Sequence, residues 1–247
     1  MTDTLVILTE LTKYFFKNMN NMWQLNLDST VQIKELMGSK IYQIDNVFKE
    51  PKKLYRFLFN RQSFAVQGEP WTRNQYFYQK ERYTDFKDAS APLAVVAERL
   101  CGQHLGNYGA FSTNIESWQT NAYNLYETHY WWPHLDNGYT CIVYFNKETT
   151  NGTNLYHPNL KEKDWFKNLM ADDIPKGKQP WISKEDVELV TELTPAYNRM
   201  VLFDGAYFPH GSAVNNLTYF SDQPKSLNCR KNLCFFYYPN ENKKETK

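Results

Sequence analysis

The chain has 247 residues, 28 Lys+Arg against 27 Asp+Glu, and a formal net charge of +1. That balance, with no basic run, argues against nucleic acid as a partner, since such affinity needs Lys and Arg to displace counterions. Ten Gly and eleven Pro are too few for a low-complexity or collagen-like chain. Aromatics make up 17% of residues and all apolar types 42%, a proportion that leans toward strands, because rings fit a pleated, half-buried surface. The length suits one large domain.

No membrane span is expected. The apolar run near the start, Leu5-Val6-Ile7-Leu8, is far short of the roughly 20 residues a spanning helix needs. Asp3 before it, and Glu10 and Lys13 after it, spoil it as a signal peptide. The expected setting is therefore cytoplasmic (intracellular and reducing). Cys101, Cys141, Cys229 and Cys234 contain no Cys-x-x-Cys pair and are expected to be free thiols.

In chain order, Leu5, Leu8, Leu11 and Phe15 recur at helical spacing, with Thr2 or Asp3 as cap. Residues 23–40 carry no decisive pattern. The run 41–47 (IYQIDNV) reads as a short strand, and Pro51 opens a second helix carrying Leu54, Phe57 and Leu58. Segment 64–86, with Trp71, Tyr76 and Tyr83 among polar residues, reads as a loop or loose hairpin. A third helix is marked by Ser90 as cap, Pro92 in its first turn and Gly102 as stop. Residues 1–117 thus read as helical and loop support.

After Ser117 strand-like runs dominate: 122–132, 139–145, 153–157, 200–203, 217–220 and 233–238. An insert at 159–183 interrupts them, with a short helix around Phe166, Leu169 and Met170. The tail 240–247 is polar and expected to fray. The whole reads as one domain, mainly β with flanking α, of the sandwich or barrel kind, with its strand core at 118–239.

The chemistry gathers at His134-Leu135-Asp136, where an aromatic strand runs into a turn. Residues i and i+2 of a strand share a face, so imidazole and carboxylate converge. They form two thirds of a 2-His-1-carboxylate set, the ligands of non-haem Fe(II) oxygenases. The tripeptide alone is weak, since a surface His beside a turn-forming Asp explains it equally well. Two later residues strengthen it. His210 follows the apolar run 200–203 and the Asp204-Gly205 turn, and can meet the pair across a small barrel. Arg230 stands at the mouth of an apolar strand, where its fork suits a carboxylate. His104, His129 and His157 read as ordinary side-chain contacts.

Together these residues resemble the Fe(II)/2-oxoglutarate-dependent dioxygenases, in their prolyl-4-hydroxylase-like branch. The likeness covers roughly residues 119–238. Thr140-Cys141-Ile142-Val143-Tyr144-Phe145-Asn146 matches the strand that follows His-x-Asp in that branch, and 198–203 resembles the strand before the distal histidine. The resemblance implies a double-stranded β-helix (jelly roll) supported by N-terminal helices. It implies Fe(II) held by His134, Asp136 and His210, with 2-oxoglutarate and O2 as cosubstrates. Arg230, Tyr144, Thr140 and Tyr126 would contact the 2-oxoglutarate. The implied activity is hydroxylation of a peptidyl (prolyl-like) or amino-acid substrate, so that the partner is a small molecule or a peptide, with release of succinate and CO2. Two departures stand out. Thr153 replaces the second glycine of the family's glycine pair at Gly152, and the His210-to-Arg230 interval is longer than the family's, which places an inserted loop within 215–228. The aromatic segment 64–86 stands where such proteins often carry an active-site cover.

Other readings use the same residues. A nucleic-acid repair dioxygenase would share the metal site, but it typically carries a second arginine where Phe236 stands. A non-catalytic jelly-roll binding module would not need all three ligands and the arginine. A zinc hydrolase could use His, Asp and His but gives Arg230 and Tyr144 no task.

Overall fold

The computed structural model describes residues 4–7, 23–59, 76–82, 87–103, 105–118, 126–131, 133–145, 150–171, 181–215 and 231–239. Arg230, Cys229, His104, Trp71, Trp132, the run 217–220 and the tail 240–247 lie outside them.

An eight-stranded sheet forms the larger layer, in the order β1-β2-β3-β11-β7-β13-β5-β4. Its strands are β1 (Thr4–Ile7), β2 (Thr30–Leu36), β3 (Ser39–Ile44), β4 (Tyr76–Arg82), β5 (Leu105–Trp118), β7 (Tyr139–Tyr144), β11 (Arg199–Asp204) and β13 (Lys231–Pro239). A three-stranded sheet runs β10-β8-β12, from β8 (Thr153–Tyr156), β10 (Leu189–Leu193) and β12 (His210–Ser212). A two-stranded sheet pairs β6 (His129–Trp131) with β9 (Trp181–Ser183). All these pairings are antiparallel. Among the described residues the helices are α1 (Pro51–Phe59), α2 (Lys87–Cys101) and α3 (Asp164–Ala171), with a 3-10 turn at Pro158–Glu162. No helix among the described residues is long and apolar enough to cross a membrane.

The central strands read as continuous apolar runs because the sheet is covered on both faces. Cys141 and Val143 of β7, Met200 and Leu202 of β11, and Leu233, Phe235 and Tyr237 of β13 share a core with Leu54 of α1 and Leu93, Val96 and Ala97 of α2. The alternate residues Ile142, Tyr144, Val201, Phe203 and Cys234 pack instead with Leu155 of β8 and with Phe208. Helices thus support one face and the three-stranded sheet covers the other. Each fully buried Leu or Phe in these layers contributes roughly 1.5–3 kcal/mol.

The insert has a structural task. Its Leu160 and Phe166, with Val187 just beyond it, bury Tyr156 of β8, joined by Tyr130, Leu135 and Ile182. Residues 153 and 155 face the large sheet, so 154 and 156 face the insert, and β8 is buried on both sides.

Several sequence expectations need correction. The spacing of Leu5 to Phe15 suggests a helix, but Thr4–Ile7 is a strand paired with β2. Its Thr, Val and Ile are β-branched and suit the pleat. Residues 1–117 supply more than helix and loop: among the described residues, five of the eight strands of the large sheet come from them or reach one residue beyond. Of segment 64–86, read as a loop or loose hairpin, Tyr76–Arg82 is a strand that pairs with β5, and the remainder lies outside the described residues. Among the described residues of 122–132, which are 126–131, the structure gives a turn and a three-residue strand at His129–Trp131. The undecided stretch 23–40 holds β2, joined to β3 by Met37 and Gly38 at φ 51° and 80°, the left-handed pair that a two-residue hairpin requires. The α2 helix begins at Lys87, before Ser90, and keeps Pro92 inside it; Gly102 ends it at φ 68°.

At the end of α2, Tyr42 donates its hydroxyl to the Leu100 carbonyl at 2.7 Å and Gln103 donates to the Tyr139 hydroxyl at 2.9 Å. Burial, above all, pushes Tyr42, Cys101 and Tyr139 up to about 12, from ordinary values of 10.0, 9.0 and 10.0. In the unfolded chain these groups ionise earlier than in the folded one. Their stabilising effect is therefore complete below pH 9.0 and is lost as pH rises from there toward about 12. Urea midpoints should fall between about pH 8 and about pH 10.5, and less steeply in Cys101→Ser. An equal slope in that variant would show that the thiol takes no part.

Candidate metal centre

His134 and His210 meet through the backbone before they meet through their rings. Each N–H donates to the other's carbonyl at 2.8 Å, an isolated antiparallel bridge. This bridge joins the segment after β6 to the start of β12. Two residues on, the Asp136 N–H donates to the Gly205 carbonyl at 3.0 Å. The His-x-Asp segment is thereby pinned along the 205–210 stretch, and both its side chains turn to the same place.

There the ligand atoms of His134, Asp136 and His210 all lie within 4.8 Å of one another. The imidazole centroids of His134 and His210 are 4.5 Å apart. His210 is 3% exposed, and its ring meets Phe203 edge-on at 4.9 Å. Its Nδ1 lies 3.0 Å from the Phe208 carbonyl. A carbonyl can only accept, so Nδ1 donates to it, which leaves Nε2 as the ring nitrogen directed at the cluster. That Nε2 faces Asp136 Oδ2 at 3.1 Å.

Asp136 is the charged member, with a side chain 17% exposed. Burial alone would raise its pKa. Burial is the largest single influence, but His210, His134 and the Thr140 hydroxyl together outweigh it, and the carboxyl is held at about 2. It is therefore an anion at neutral pH. The Thr140 hydroxyl donates to Asp136 Oδ2. Thr140 is 2% exposed and lies on the β7 face shared with Ile142 and Tyr144.

Tyr144 lies buried between the two sheets, its hydroxyl 2.6 Å from that of Thr153 on β8. Asn232 of β13 is opposite Tyr144 in the register. Tyr126, by contrast, sits in the turn before β6, and its exposed hydroxyl donates to Glu127 at 3.3 Å. The structure thus brings together His134, Asp136, His210 and Thr140, buries Tyr144 between the sheets, and leaves Tyr126 in an exposed turn. Arg230 is outside the described residues. His129 contacts Thr128 at 2.8 Å and His157 accepts from the Asn159 N–H at 3.1 Å, ordinary contacts as expected.

Sequence reading missed three participants. Phe208 acts through its carbonyl, which no side-chain pattern reveals. Gly205 admits the Thr140 hydroxyl, for a Cβ at 205 would stand 2.3 Å from that oxygen. Thr153 registered only as a missing glycine.

No family model matches the chain, and no curated protein matches it. Among solved structures it is similar to the epimerase SnoN in complex with Fe3+, alpha ketoglutarate and nogalamycin RO. That likeness is at 14% identity over 80% of this chain and 78% of that one, with a TM-score of 0.48. It is also similar to the non-heme alpha ketoglutarate dependent carbocyclase SnoK from nogalamycin biosynthesis, at 15% identity over 83% and 84%, with a TM-score of 0.43. A prolyl hydroxylase from Trichoplax adhaerens, in complex with a hypoxia inducible factor peptide fragment, matches at 11% identity over 76% and 74%, with a TM-score of 0.34. At these scores the chemistry of this chain rests on its own residues.

Proposed function

We propose that this protein is an Fe(II)- and 2-oxoglutarate-dependent oxygenase that hydroxylates an unactivated C–H bond of a prolyl-like peptidyl or other small-molecule substrate. One observation carries the reading: two imidazoles and one carboxylate converge within 4.8 Å. Two neutral nitrogens and one anionic oxygen are the donor set that suits non-haem Fe(II) and leaves other positions open. Bound iron would supply the O2 chemistry that couples decarboxylation of 2-oxoglutarate to substrate oxidation, releasing succinate and CO2.

The chain's residues do the rest. His134, Asp136 and His210 would hold the ion, with His210 Nε2 oriented through its Nδ1 bond to the Phe208 carbonyl. Phe203, Phe208 and Leu155 form an apolar wall, all at 0% exposure, which keeps water from the reacting groups. Tyr144 and Arg230 are assigned the remote carboxylate of 2-oxoglutarate. In support, Arg230 precedes Asn232 by two residues, and Asn232 pairs with Tyr144 across β13 and β7. A guanidinium with a hydroxyl fits such a carboxylate. The two layers of antiparallel sheet are read as the halves of a double-stranded β-helix within one domain.

The test is anaerobic addition of Fe(II) and 2-oxoglutarate, followed by visible absorption. A metal-to-ligand charge-transfer band is expected, and it should require both additions. Zn(II) with 2-oxoglutarate should give none, because that closed-shell ion has no electron to transfer. A wild-type protein without the band would defeat the proposal.

A further inference from the structure

We propose that Thr140 is a positioning residue for the carboxylate ligand Asp136 rather than a contact of the 2-oxo acid; this rests on the metal-centre reading above. The residue occupies β7, one strand from β11 in the large sheet, while Asp136 lies in the segment that leads into β7. Its hydroxyl is aimed at Asp136 Oδ2. An ionised carboxylate only accepts, so Thr140 must donate. The same Oδ2 faces His210 Nε2 at 3.1 Å, which makes it the oxygen directed at the ligand cluster.

Two neighbours hold this arrangement in place. The Asp136 N–H is tied to the Gly205 carbonyl at 3.0 Å, which fixes the backbone from which the carboxylate swings. The Cα of Gly205 carries no side chain, and the Thr140 oxygen fills the space: a Cβ there would lie 2.3 Å from that oxygen and 3.1 Å from Asp136 Cβ. Thr140 is 2% exposed, so water does not readily replace its hydroxyl. With the backbone tied at one end and an oxygen tied at the other, the carboxylate has one orientation left. Outer groups that orient a ligand in this way typically govern about 10–100-fold in metal affinity.

The experiment compares wild type, Thr140→Val, Thr140→Ala and Thr140→Ser, using Co(II) followed by its visible absorption as the probe. Thr140→Val and Thr140→Ala should each weaken Co(II) binding by about 10-fold or more, and Thr140→Ser, which keeps the hydroxyl, by less than about threefold. Thermal melting of each metal-free variant shows whether it is folded, and the Ser rescue separates the hydroxyl's role from packing. Unchanged Co(II) affinity in a folded Thr140→Val or Thr140→Ala variant overturns the assignment. So does a variant whose Co(II) affinity is intact while the 2-oxoglutarate needed for half-maximal turnover rises. A wild type that takes up no Co(II) overturns the metal-centre reading itself, an outcome distinct from the other two.

Discussion

Replacing Asp136 with alanine is expected to weaken metal binding by more than about 100-fold, exceeding what outer residues typically govern, and to abolish turnover. Asp136 is the one anion among the three ligands. It is held ionised at about 2 despite its burial, so the fold has already stabilised the charge that a divalent ion needs. A coordinating imidazole is a neutral donor, and two neutral donors do not offset the dehydration of a hard cation. Asp136→Asn keeps the shape and the hydrogen-bond acceptor but removes the charge, and should fall between wild type and alanine. Anaerobic titration with Fe(II) measures both. Wild-type affinity in Asp136→Ala would mean that the ion is held elsewhere.

Gly152→Ala is expected to cost about 3 kcal/mol of folding stability or more, at the upper end of overpacking effects. A Cβ at 152 would stand 2.0 Å from the Leu193 carbonyl oxygen and 2.9 Å from Pro195 Cδ. That carbonyl cannot step aside alone, because Leu193 is paired with Thr153 in the β10–β8 ladder. Gly152 is also fixed on its own account: its N–H donates to Glu192 at 2.9 Å and its carbonyl accepts from Ala213 at 3.1 Å. Relief therefore requires β8 and β10 to separate, and β8 carries both Leu155 and Thr153 of the inner wall. Urea denaturation followed by tryptophan fluorescence gives the loss, and a value under about 1 kcal/mol would show that the strands yield freely.

The cluster of two histidines and one aspartate was legible because its signals are local. His134 and Asp136 are two apart, and His210 follows an apolar strand and a glycine turn. The strands around them were legible because burial on both faces leaves uninterrupted apolar runs, as in Cys141 to Phe145. β5 carries no such run. Its sequence, LGNYGAFSTNIESW, mixes glycines with Ser, Thr and Asn, and its strand character comes from lying between β13 and β4. β1 shows the reverse case, where the helical spacing that begins at Leu5 loses over Thr4–Ile7 to pairing with β2; Leu8, Leu11 and Phe15 lie outside the described residues. Site details that depend on two elements meeting were also hidden. The Tyr144–Thr153 contact spans two sheets, and the oxygen of Phe208 belongs to the backbone. Tyr126 was chosen by spacing from His134, and spacing cannot say that a turn intervenes.

The bridge between His134 and His210 has a consequence for how the molecule comes apart. The residues that stitch the small sheets together are the same ones that, in the proposed function, would offer nitrogens to the ion. Parting those two strands scatters the ligands, and an ion held by the ligands resists the parting. Occupancy and breathing of the smaller layer are therefore two readings of one equilibrium: the protein has no seam that can open there while its centre stays assembled.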